Sequence, residues 1–313
     1  MAGSSRKVIY AALTANALIA LTKFAAALIT GSSAMFSEGI HSVVDTGNQI
    51  LLLYGLHRSD RPADARFPFG YGKEVYFWSF IVAILIFAVG AGISLYEGVH
   101  RLLNPAPLEN VTVNYIVLAL AILFEGAGWF LAMREFSRAK GKWGYIEAVR
   151  RAKDPSTFVV LFEDSAAILG LAVAFVAILL GQLTGIHYFD GAASIVIGFI
   201  LGGTATWLAF ETKGLLIGES ANQRVIDGIR ALVATFPEVV RVNEVLTMHM
   251  GPNFILANIS VEFQDATTVP AMEGTVARID KAIKQAFPRV KRVFIEAETM
   301  GSASPAGVPA DNP

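Results

Sequence analysis

MFSEGIHSVVDTGNQILLL, residues 35–53, is long and apolar enough to cross a bilayer, yet it carries Glu38, His41 and Asp45. At 3.6 residues per turn, spacings of three and four place these side chains on one helical face, where they can converge on one ligand. An ionisable group at membrane depth costs at least a few kcal/mol, so it marks a functional site by default. An imidazole beside a carboxylate suits a borderline divalent cation such as zinc. The stretch reads as part of a metal ion site inside a transporter.

Composition supports a membrane protein. Of 313 residues, 54% are hydrophobic and only 16% charged, too apolar a balance for an ordinary soluble enzyme of this size. The net charge of -1 is segregated along the chain, and no nucleic-acid partner is expected. The absence of cysteine excludes disulfides, thiolate zinc sites and thiol catalysis. MAGSSRK at the start runs straight into an apolar stretch too long for a signal-peptide core, which reads as the first membrane helix.

Taking about 20 apolar residues per crossing, six spans are expected near 8–29, 34–56, 76–99, 112–133, 157–181 and 191–210. Arg6 and Lys7 precede the first, Arg58, Arg61, Arg66 and Lys73 follow the second, and 134–153 after the fourth is the most basic loop. The alternate connections TGSS, LLNPAPLENVTVN and GQLTGIHYFD are nearly free of Lys and Arg, so both termini are expected on the cytoplasmic side. With no transit-like leader before the first span, the expected location is a bacterial cytoplasmic membrane.

Hydrophobicity drops after about residue 212, which sets expected regions at 1–212, 213–299 and a disordered, proline-containing tail at 300–313. Residues 221–236 read as an amphipathic helix, with Val225, Ile229, Leu232 and Val233 on one stripe. Strands are expected at 240–249 and 254–263 around a turn at 250–253, then a helix at 269–286 and a strand at 290–296. The order αββαβ is enough for a small two-layer α+β domain.

The fifth span contributes Glu163 and Asp164, adjacent and therefore about 100° apart, so they cannot share one close site without distortion. His41 and Asp45 alone would equally suit a buried pair that stabilises helix packing; Asp164 elsewhere in the bundle favours metal. Glu38 is expected as a vestibule charge or accessory ligand. Asn16, Asn48 and Gln49 read first as groups that hold helices together. Glu125 in the fourth span is either a proton-path residue or the partner of a nearby polar helix. His249, between Met248 and Met250, reads as a sheet residue.

These motifs resemble the cation diffusion facilitator family over nearly the whole chain. SEGIHSVVDTGNQ, RPADARFPFGYGKEVYFWS, LYEGVHRLLNP, EDSAAILG and DGAASIVIG carry the resemblance, and the first and fourth look most like the branch containing eukaryotic zinc transporter 9. The resemblance implies six transmembrane helices followed by a cytoplasmic, ferredoxin-like αββαβ domain. It also implies two ligands from the second span and two from the fifth, matched here by His41, Asp45 and Asp164. The remaining position falls on Val160, which cannot bind a cation. Water, Glu163 or Asn16 is then the candidate fourth partner, and an oxygen-richer site raises the standing of manganese or ferrous iron beside zinc. Phe67, where the family often has histidine, and a single C-terminal-domain histidine, His249, argue against accessory zinc sites.

The implied activity is efflux of a divalent cation in exchange for protons by alternating access in a homodimer, with no bound cofactor beyond the transported ion. Metal displaces protons from such ligands, and His41 is the group whose ordinary titration lies nearest neutral pH. Two other classes are a membrane-embedded metalloenzyme, for which no HExxH pattern is found, and a non-transporting metal sensor or scaffold.

Overall fold

The computed structural model describes residues 2–105, 111–140, 144–145 and 155–299. Most of the expected basic loop at 134–153 and the expected tail at 300–313 lie outside these residues. The chain divides into two compact units, one of Met1–Pro62 with Lys73–Leu216 and one of Ala63–Gly72 with Ile217–Pro313.

The first unit is helical: α1 (Ala2–Thr30), α2 (Ser33–Ser59), α3 (Glu74–Leu85), α4 (Gly92–Leu103), α5 (Val111–Ala139), α6 (Pro155–Thr184) and α7 (Tyr188–Ile217). α3 and α4 are joined by π-helical turns over Ile86–Ala91, so together they make one continuous rod. Among the described residues, four stretches are long and apolar enough to cross a membrane: Glu74–Leu103, Val111–Phe130, Phe158–Thr184 and Tyr188–Ile217. α1 adds a shorter apolar stretch, Asn16–Thr30. α2 falls short of that apolarity, because Glu38, His41, Asp45, Asn48 and Gln49 interrupt it.

The N-terminus of α2 is fixed by a carboxylate from another helix. Asp190, in the first turn of α7, accepts from the backbone N–H groups of Ser33 at 2.7 Å and Ala34 at 3.3 Å. It also accepts from the hydroxyls of Ser32 at 2.6 Å and Ser33 at 2.7 Å. An anion here satisfies helix donors that have no intrahelical partner and complements the positive end of the helix dipole. Arg101 Nε lies 3.6 Å from the same carboxylate. α4 reaches α7 closely enough for this because both helices have glycine at the crossing: a Cβ on Gly98 would stand 2.8 Å from Gly191 O. The motifs EGVHR and DGAAS therefore clamp the start of α2, and His41 follows about 12 Å along the helix axis.

The second unit has α8 (Gln223–Val233), β1 (Val239–Gly251), β2 (Phe254–Phe263), α9 (Val269–Ala286) and β3 (Val290–Ala297). The sheet order is β1-β2-β3, with β1 and β2 antiparallel and β2 and β3 parallel. Alternate residues of β2, Ile255, Ala257, Ile259 and Val261, are buried against Ile229 and Val233 of α8 and Ile279 and Ile283 of α9. That two-residue period meeting two helical stripes is the packing the sequence pattern predicts. α8 is shorter than the expected 221–236 because Asn222 caps its start, accepting from Arg224 N at 2.9 Å. The segment 63–72 is held by Asp64, which accepts from Arg66 N at 2.9 Å, Phe67 N at 2.8 Å and the Tyr71 hydroxyl at 2.7 Å. His249 is buried on β1 opposite Ile255, a sheet residue as its pattern suggests.

Candidate metal-cation site

His41 and Asp45 lie one turn apart on α2, and His41 Nδ1 is 3.2 Å from Asp45 Oδ1. The contact lacks hydrogen-bond geometry: both ring nitrogens of His41 and Oδ1 of Asp45 are buried without a hydrogen-bond partner. A buried polar atom left unpaired costs about 1–3 kcal/mol, and native structures keep few of them. A structural His–Asp pair would have closed its hydrogen bond. His41 Nδ1 and Asp45 Oδ1 are thus two buried, unpartnered atoms side by side, and His41 Nε2 is a third on the far edge of the ring.

The facing wall is α6. Glu163 is buried, accepts a hydrogen bond from Asn48 Nδ2 of α2, and stands beside Asp45. Asp164 is half-buried and turned toward α5, where a Cβ added to Gly128 would stand 4.0 Å from its Oδ2. The two consecutive carboxylates thus diverge as helical geometry requires. Val160, one turn earlier, packs against the apolar core. Among the described residues, no three His, Asp or Glu side chains converge closely enough to hold a metal ion. The donors stand in pairs, His41 with Asp45 and Asp45 with Glu163.

Glu38 differs from expectation. It is fully buried rather than a vestibule charge, and its Oε2 pairs with Lys23 Nζ of α1 at 3.1 Å. Lys23 is also fully buried and donates to Ser42 Oγ at 2.8 Å and Glu125 Oε1 at 2.8 Å. Glu125 of α5 thus pairs with a polar group of α1. Gly170 on α6 leaves room for this group, since a Cβ there would collide with Glu38 Oε1. Asn16 is half-buried on α1, about two turns before Lys23.

Two residues of consequence escaped the sequence reading. Lys23 sits within the expected first span and carried the same signal as Glu38, an ionisable group at membrane depth. Asp190 lay inside a motif but just before the expected sixth span, where a solvated end was the natural reading.

Residues 9–217 match the family model described as the cation efflux transmembrane domain, and the chain belongs to that family. It lies near the zinc transporter 9 branch. It is 36% identical to "Proton-coupled zinc antiporter SLC30A9, mitochondrial" of Xenopus laevis, over 82% of this chain and 46% of that protein. With the human protein of the same name it is 33% identical over 94% of this chain and 50% of the relative. The chain spans about half the length of these curated relatives. "Manganese efflux system protein MneP" of Bacillus subtilis is 25% identical over 93% of this chain and 95% of that protein. These relatives are named as carriers and not as enzymes, and the chain is an integral membrane protein of a transporter family.

Proposed function

We propose that this protein exports a divalent metal cation across a membrane in exchange for protons, by alternating access around His41, Asp45 and Asp164. The observation that carries the reading is the set of buried, unpartnered donors on α2: both nitrogens of His41 and Oδ1 of Asp45. A cation entering between α2 and α6 takes one nitrogen of His41 together with Asp45 Oδ1 and draws in carboxylates from α6. Glu163 is the neighbouring carboxylate beside Asp45 and stands as the fourth partner in place of Val160. Asn48 orients Glu163.

One imidazole among carboxylate oxygens serves zinc, and it also serves manganese or ferrous iron better than a nitrogen-richer site would. The names of the SLC30A9 relatives favour zinc and that of MneP favours manganese. Metal binding displaces protons from such ligands, and His41 carries the exchanged proton. In this proposal α1, α2, the α3–α4 rod, α5, α6 and α7 make six crossings with both termini cytoplasmic. The second unit is a ferredoxin-like dimerisation domain, and the carrier works as a homodimer. The membrane, bacterial or organellar, is one whose two faces differ in pH.

The test is uptake of labelled zinc and manganese into inside-out vesicles. An outward-facing proton gradient should drive accumulation, and collapsing it should abolish accumulation. Uptake indifferent to the gradient would remove proton exchange from the account.

A further inference from the structure

Lys23 is the only lysine or arginine among the fully buried charged groups of the described helices, and its three ammonium protons match three oxygens. Glu38 Oε2 is 3.1 Å away, Ser42 Oγ 2.8 Å and Glu125 Oε1 2.8 Å. The oxygens come from α2 and α5, the ammonium from α1. Glu38 and Ser42 are one turn apart and so share a face of α2, while Ser42 points about 100° from His41. The cluster is distinct from the donors of His41 and Asp45. Glu38 Oε1, the oxygen that does not meet the ammonium, is buried with no hydrogen-bond partner on the side of Gly170 in α6, so this carboxylate has spare capacity for a cation.

We infer that Glu38, Ser42 and Glu125 form a second cation site, of a size for a large monovalent cation, that the chain's own Lys23 ammonium permanently fills. Distances decide the class. Oxygens at 2.8–3.1 Å from the charge centre lie beyond the roughly 2.3–2.6 Å of calcium and 2.0–2.1 Å of magnesium. An oxygen-only set selects hard ions over zinc. What fits is potassium, rubidium or ammonium. Two ionised carboxylates buried together are strongly destabilising without such a charge between them. By tethering it, the chain spares the carrier a second free ion, and its transport cycle is independent of potassium.

Lys23→Met keeps the length of the side chain and empties the site. The full-length variant is purified in detergent and melted in potassium, rubidium or N-methylglucamine chloride at equal ionic strength. Potassium and rubidium should raise its Tm above that in N-methylglucamine, while wild type melts alike in all three. Adding Glu38→Gln to Lys23→Met should erase the difference. In vesicles, metal uptake by Lys23→Met should be about tenfold faster in potassium than in N-methylglucamine. A variant that melts identically in all three salts overturns the inference, and so does one that no potassium concentration during purification recovers in folded form. The transport arm rests on the carrier reading; the melting arm does not. Potassium-dependent melting with no uptake by wild type would leave the site standing and fail the carrier.

Discussion

In the proposed site, His41 and Asp45 matter because of what they lack. Two polar side chains 3.2 Å apart on one helix could have satisfied each other, yet their geometry leaves both imidazole nitrogens and one carboxylate oxygen unpaired. Asn48 acts through Glu163, which in turn touches Asp45. Removing such an outer partner typically costs 10–100-fold in metal affinity. Asn48→Leu should therefore raise the KM for metal uptake by about tenfold or more while kcat changes less; an unchanged KM would mean Glu163 needs no orientation. At this scale the sequence was partly legible. Spacings of three and four exposed the α2 donors, because helical periodicity is local. The role of Glu38 was hidden, because its partner Lys23 lies on another helix and only folding brings them together. For the same reason adjacent Glu163 and Asp164 could be seen to diverge, but not which one would meet Asp45.

Helices set where those residues stand. α2 is anchored at its first turn by Asp190 of α7, whose carboxylate takes two backbone N–H groups and two hydroxyls. Asp190→Ala would strand buried donors at about 1–3 kcal/mol each. Its Tm in detergent should fall by several degrees and its metal uptake should drop, whereas Asp190→Asn, keeping an acceptor, should lose less. Equal losses in both would show that the charge, not the cap, is what matters. The helices and strands themselves were readable, with ends up to seven residues off where a helix runs on past its apolar stretch, as Tyr188–Ile217 does beyond the expected 191–210. The π-helical turns at Ile86–Ala91 were not, because their sequence, IFAVGA, is as apolar as its surroundings. Nor was the Gly98–Gly191 crossing, which depends on which helices meet.

The whole molecule consists of a helical unit with buried ionisable groups and an α/β unit with its own apolar core. Long apolar runs implied the first, and their replacement by amphipathic stripes implied the second. The inclusion of 63–72 with the second unit was not visible, since that segment reads as an ordinary basic loop. If the second unit holds the homodimer together, truncation after residue 214 should shift the protein toward monomer in light scattering. A truncated chain that remains fully dimeric would place the interface in the helices. The central claim is that α2 and α6 carry the transported cation. Its most direct test is gradient-driven uptake of labelled zinc and manganese by vesicles bearing His41→Ala or Asp164→Ala at wild-type protein levels. The account predicts that both variants lose uptake to the level of empty vesicles; wild-type uptake in either one would contradict the assignment of that residue to the site.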